Sequence, residues 1–136
     1  MIKVYQTRFT SEDGNCFAAC VASIFETTVE DIENGFIMHK HQPEEWFAAF
    51  NEWLKKRGFC AVDIGIADQD YAPVGTYHIA SGQSPRFECK HSIVNFRNQM
   101  AHDPHPEGTG LKTVDDIIIF VPLDYSGMLK SVEAAG

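Results

Sequence analysis

The chain has 136 residues, 44% of them hydrophobic and 22% charged, with a formal net charge of -8; this is the size and mixture of one globular domain spanning 1–136. The acidic excess argues against nucleic acid and anionic membrane surfaces as partners, because phosphate binding needs clustered Lys and Arg. The N-terminal MIKVYQTRF has no apolar secretory core and no apolar run approaches a bilayer span, so a cytoplasmic protein with free thiols at its four cysteines is expected.

In chain order, Ile2 to Tyr5 is a short apolar stretch that predicts a strand, and Thr10 to Asn15, polar and containing Gly14, predicts a loop. The run CFAACVASIF, Cys16 to Phe25, is apolar and rich in alanine, which predicts a buried helix with Asn15 as an N-cap residue type. Thr28 with Asp31 has the spacing of a capping box, and Gly35 is placed to stop the short helix that follows. Pro43 opens a third helix in which Trp46, Phe47, Phe50, Trp53 and Leu54 recur at helical spacing, the pattern of a core-facing stripe. Phe59–Ile66, Thr76–Ala80, His91–Phe96 and Ile117–Pro122 read as strands, and the Pro- and Gly-rich HDPHPEGTG between the last two reads as a loop. Helices first and strands later predict an α+β fold, a buried N-terminal helix packed on an antiparallel sheet.

Cys16 falls in the first turn of its helix, where unpaired N–H groups and partial positive charge favour thiolate over thiol. Gly14 permits close approach to the sulfur, and the Cys16 N–H is placed to help bind an oxyanion. Taken alone, Cys16 reads as readily as an apolar core residue. His91 opens a strand and Asp103 follows twelve residues later, before Pro104. A hairpin turning at Asn98 and Gln99 brings the two side by side, and a carboxylate beside an imidazole fixes its tautomer and raises its basicity.

Cys20, one helical turn after Cys16, reads as a small buried residue, Cys60 and Cys89 as structural, and His39 and His41 as solvated. His102 and His105 flank Asp103 and are candidates for substrate contact. Arg86, in the loop SGQSPR, is the candidate for binding an anionic substrate group, its fork being suited to carboxylates, and reads equally well as an ordinary exposed arginine.

GNCFAACVAS, HSIV and HDP, in that order, resemble the three local settings of papain-like cysteine peptidases. The likeness is closer to the bacteriocin-processing peptidase domains of bacterial exporters and their small relatives. The resemblance implies a papain-like fold and a thiol hydrolase with Cys16 as nucleophile, His91 as base and Asp103 as its orienting partner, acting on a peptide, protein or small amide without a cofactor or metal. Nearly the whole chain also resembles small bacterial and phage proteins sharing GNCF–AC–AS, SGxSPR and HDPHP segments, which brings no substrate. In the papain-like family a glutamine upstream of the cysteine completes the oxyanion hole; its place here, position 10, holds Thr, and the nearest upstream glutamine is Gln6. Gln6 and Asn15 are therefore the two candidate donors. Two other readings remain: a non-enzymatic binding or inhibitor protein on a papain-like scaffold, and a zinc site built from Cys16, Cys20, His91 and His102 or Asp103.

Overall fold

A computed structural model describes residues 1–35, 43–67, 71 and 73–123. Their helices are α1 (Cys16–Phe25), α2 (Val29–Gly35) and α3 (Pro43–Lys55). Their strands are β1 (Phe59–Gly65), β2 (His78–Gln83), β3 (Lys90–Phe96), β4 (Gln99–His102) and β5 (Asp116–Pro122). The five strands form one antiparallel sheet in the order β1-β5-β2-β3-β4. The chain is thus α+β as expected. His39 and His41 lie outside the described residues, as does the segment 124–136.

The boundaries of α1 are those the apolar run predicts. Phe17 through Ser23 are all buried, which explains a helix with no polar face. It ends where Glu26 turns left-handed (φ 55°) and returns its N–H to the Ala22 carbonyl. Half of the expected capping box forms at α2: the Asp31 N–H donates to Thr28 Oγ1, but the Asp31 carboxylate instead accepts from Thr27 Oγ1 and Arg57. In α3, Phe50, Trp53 and Leu54 are buried and join Phe17 and the α1 alanines in the main core, so the aromatic stripe faces inward. Fully burying a side chain of that size is worth about 1.5–3 kcal/mol. Gly35 lies under the Trp53 indole, where a Cβ would come within 2.1 Å of the ring.

Strand alternation divides the sheet. Ala61, Ile79, Val94 and Ile118 pack with the helices, whereas Ala80, Ile93 and Ile117 form a second cluster covered by Ile66, Val74, Leu111 and Val114. Gly82 marks where the segment leading into β5 crosses β2. Lys112 and Asp115 donate backbone N–H groups to Gln83 and Ser81, and a Cβ on Gly82 would sit 1.8 Å from the Thr113 carbonyl oxygen. Gly82→Ala is therefore expected to destabilise the protein by about 1–3 kcal/mol or more. Urea unfolding measures this; an unchanged midpoint would refute the close approach.

The expected strand at Ile2–Tyr5 does not form. That segment spends its hydrogen bonds on helix and loop groups: Ile2 N–H on the Ser23 carbonyl, Val4 N–H on Ser23 Oγ, and Gln6 N–H on the Pro104 carbonyl. With those groups committed it straps α1 and adds nothing to the sheet.

Candidate functional site

Three elements converge at one end of the sheet. Cys16 is the first residue of α1, His91 the second of β3, and Asp103 directly follows β4. His91 Nε2 lies 2.7 Å from Asp103 Oδ1, with the side chains only 4% and 1% exposed. Cys16 lies within hydrogen-bonding reach of the His91 side chain. The backbone N–H groups of Ser92 and Phe17 also point at the sulfur.

A β-bulge makes the His91–Asp103 contact possible. The hairpin turns at Arg97 and Asn98, both at positive φ (51° and 63°), one residue earlier than the expected Asn98–Gln99. Asn95 pairs with Met100, but Val94 pairs with His102, so Ala101 is the extra residue. An unbulged register would continue with Val94 opposite Ala101 and set Asp103 beside Ser92, on the face away from His91. The additional residue reverses the parity and turns Asp103 to the His91 side.

The electrostatics follow from these contacts. Burial raises the Cys16 pKa, but the hydrogen bond and charge of His91, together with the Ser92 and Phe17 N–H groups, outweigh it and leave the thiol below its ordinary value. Burial likewise works against the His91 cation. The hydrogen bonds that His91 gives to Asp103 and Cys16, with their charges, overcome it and raise His91 to about 9. Asp103 is held below the usual carboxylate range: burial opposes this, and His91 with the N–H groups of His105 and Gly110 prevails. These shifts all favour the charged forms, so thiolate, imidazolium and carboxylate would alternate in sign along the three side chains. Cys20, fully buried beside two of these groups, is the opposite case: burial pushes its pKa well above the ordinary cysteine value, and the charges of Cys16 and Asp103 add to this.

The segment carrying Gln6 is fixed between Asp103–Pro104 and the residue before the cysteine. The Gln6 N–H bonds the Pro104 carbonyl, while the N–H groups of Thr7 and Arg8 both donate to Asn15 Oδ1. The Gln6 side chain is buried; its Nε2 donates to the Arg8 carbonyl and its Oε1 has no partner. Asn15 makes no N-cap bond to α1. Both its amide hydrogens are committed, to Thr7 Oγ1 and Glu33 Oε1, so its side chain ties the loop ahead of α1 and has no hydrogen left for an oxyanion. Asn15→Ala leaves two backbone N–H groups without their acceptor and is expected to cost about 2–4 kcal/mol. A thermal midpoint within a degree of wild type would contradict this.

The remaining candidates divide. His105 is half-buried with its ring 6.4 Å from that of His91, and Phe9 stands edge-on to it at 5.2 Å, so His105 borders the site. His102 turns away: its Nε2 bonds the Val4 carbonyl at 2.7 Å and the residue is buried, which corrects its expected substrate contact. Arg86 is folded inward rather than presented to solvent. Its side chain is 11% exposed, it reaches Thr109 Oγ1, and its Nη1 lies 3.9 Å from Asp103 Oδ2. Part of Arg86 also lines an open cleft of about 640 Å³, together with the rest of the turn Gln83–Glu88 and Lys112.

The four cysteines are free thiols. Among the described residues no three His, Cys, Asp or Glu side chains converge as a metal ligand set, and no helix is long and apolar enough to cross a membrane. The sequence signal missed most of what supports the triad: the bulge, the Ser92 and Gly110 N–H donors, and Arg86. Only the glycines of PEGTG hinted at the tight loop, Gly110 having φ 72°. No family model, curated protein or solved structure matches this chain.

Proposed function

We propose that the protein is a thiol hydrolase, a cysteine peptidase or amidase on a papain-like α+β scaffold, working through Cys16, His91 and Asp103. The observation that carries this reading is a histidine bonded through Nε2 to a buried carboxylate and hydrogen-bonded to a cysteine that opens a helix. The Cys16 thiolate attacks the substrate carbonyl carbon. The His91 imidazolium gives its proton to the departing amine as the C–N bond breaks, leaving a thioester on Cys16. Neutral His91 then takes a proton from water as it attacks the thioester, and the carboxylic acid leaves with the thiolate restored. Asp103 holds the ring orientation and favours the cation throughout.

Gln6 is the better oxyanion donor of the two candidates, since Nε2 carries a second hydrogen beyond the one given to Arg8, whereas Asn15 has none to spare. The Cys16 N–H at the helix N-terminus is the second donor. Peptides, proteins and small amides all fit this chemistry. The cytoplasm is the compartment in keeping with four free thiols.

Intact-mass detection of an acyl adduct after mixing the protein with a library of peptide amides, esters and glutamine-bearing peptides tests the proposal. The adduct is expected on Cys16 and absent from Cys16→Ala; acylation of Cys60 or Cys89 alone, or of no residue, would sink it. One observation favours a second reading, a non-enzymatic binding protein: the Gln6 amide already serves Arg8. On that reading, slow alkylation of Cys16 at neutral pH is the expected result.

A further inference from the structure

The triad uses one oxygen of Asp103 for His91. The other faces Gly110 N–H and Arg86, and the arginine has no role in the chemistry above. We infer that Arg86 is a positioning residue of the site, holding Asp103 and its loop against His91, and not the substrate anchor its place in a polar turn suggests.

Three observations support this. Arg86 is nine-tenths covered, its Nε is buried without a partner, and its reach is inward, to Asp103 Oδ2 and Thr109 Oγ1. Its own turn is built to aim it: the Arg86 N–H donates to Ser84 Oγ, and Ser84 and Gln83 bond across to the carbonyls of Cys89 and Phe87. The loop it grips supplies the remaining support of Asp103, because Thr109 directly precedes Gly110, whose N–H bonds Oδ2. Arg86 therefore joins the β2–β3 turn to the loop after β4 at the carboxylate. It also completes a charge sequence of thiolate, imidazolium, carboxylate and guanidinium, which sums to zero around the buried Asp103 and His91. The other titratable groups facing this set are His105, whose pKa is lowered by burial and then by Arg86, and Cys20.

Position and charge make opposite predictions for His91. If Arg86 were only a nearby cation, removing it would relieve repulsion of the imidazolium and raise the His91 pKa, along with that of Cys16. If it positions Asp103, its loss lets the carboxylate move off His91. The His91 titration then falls from about 9, while the Cys16 titration rises, because imidazolium and thiolate support each other.

The experiment follows both groups in wild type, Arg86→Gln and Thr109→Val: His91 by NMR titration of its ring nitrogens, and Cys16 by its iodoacetamide rate against pH. Arg86→Gln is expected to bring the two titrations toward each other, each by roughly one pH unit. Thr109→Val keeps the charge and loses the anchor, and is expected to move His91 the same way by less. A His91 titration that rises or stays fixed in Arg86→Gln overturns the inference. If Arg86→Gln does not fold, Thr109→Val decides by the same criterion. The inference rests on the triad reading; a wild-type protein with an ordinary Cys16 titration overturns that reading itself, whereas a normal wild type with unmoved variants overturns only the role of Arg86.

Discussion

Asp103→Ala is expected to lower stability by about 3–5 kcal/mol, the usual cost of removing one partner from a buried ion pair. The carboxylate is 1% exposed and accepts from His91, the His105 N–H and the Gly110 N–H, with Arg86 alongside. Its loss strands two buried cations and two backbone donors together. Asp103 and His91 also act on pH dependence. Asp103 has a depressed folded pKa, so its contribution is present above its unfolded value, near 3.9, and fades as pH falls through the folded one. His91 has a raised folded pKa, so its contribution is complete below about 6.5 and fades as pH rises through about 9. In Asp103→Ala the His91 titration should fall well below 9. Denaturant unfolding with parallel NMR titration checks both effects; wild-type stability in the variant would contradict the buried pair.

Cys16→Ala is expected to lower the proposed hydrolysis by on the order of 10⁴-fold or more, while the protein remains folded. Cys16 is half-buried at the start of α1, outside the core formed by Phe17, Ala19 and Val21, so truncation costs less than the roughly 2–5 kcal/mol of a deep core deletion. Circular dichroism and single-turnover assays on the same preparation separate the two effects. An unfolded variant would make Cys16 a structural residue. Residual turnover near wild type would remove it from the chemistry.

The features legible in the sequence were those with a local cause. Ten residues from Cys16 to Phe25 without a charge specify a helix buried on all sides, and the helical spacing of Phe50, Trp53 and Leu54 specifies an inward stripe. The order of Cys16, His91 and Asp103 pointed to the three side chains that the fold brings together. Features with a non-local cause left no readable trace. The bulge at Ala101 is one extra residue in a four-residue strand, yet it decides which face Asp103 takes. Ile2 to Tyr5 has the composition of a strand but is claimed by Ser23 and Pro104. Arg86, in a polar turn, reads as exposed until the loop from Asp103 to Gly110 folds over it. His102 and His105 are equivalent in HDPHP, and only the fold sends one to Val4 and the other to the edge of the site.

The central claim, that Cys16 and His91 form a thiolate–imidazolium pair, is tested most directly by the alkylation rate of Cys16 as a function of pH, with the adduct mapped to the residue. The lowered Cys16 pKa places the reactive thiolate on the acid side of an ordinary cysteine. The account predicts a rate already high near pH 6, about two units below the pKa of a free cysteine. It also predicts that His91→Ala replaces this with a single later rise. A wild-type rate that climbs once, with a midpoint above about 8, would mean an ordinary thiol and contradict the account.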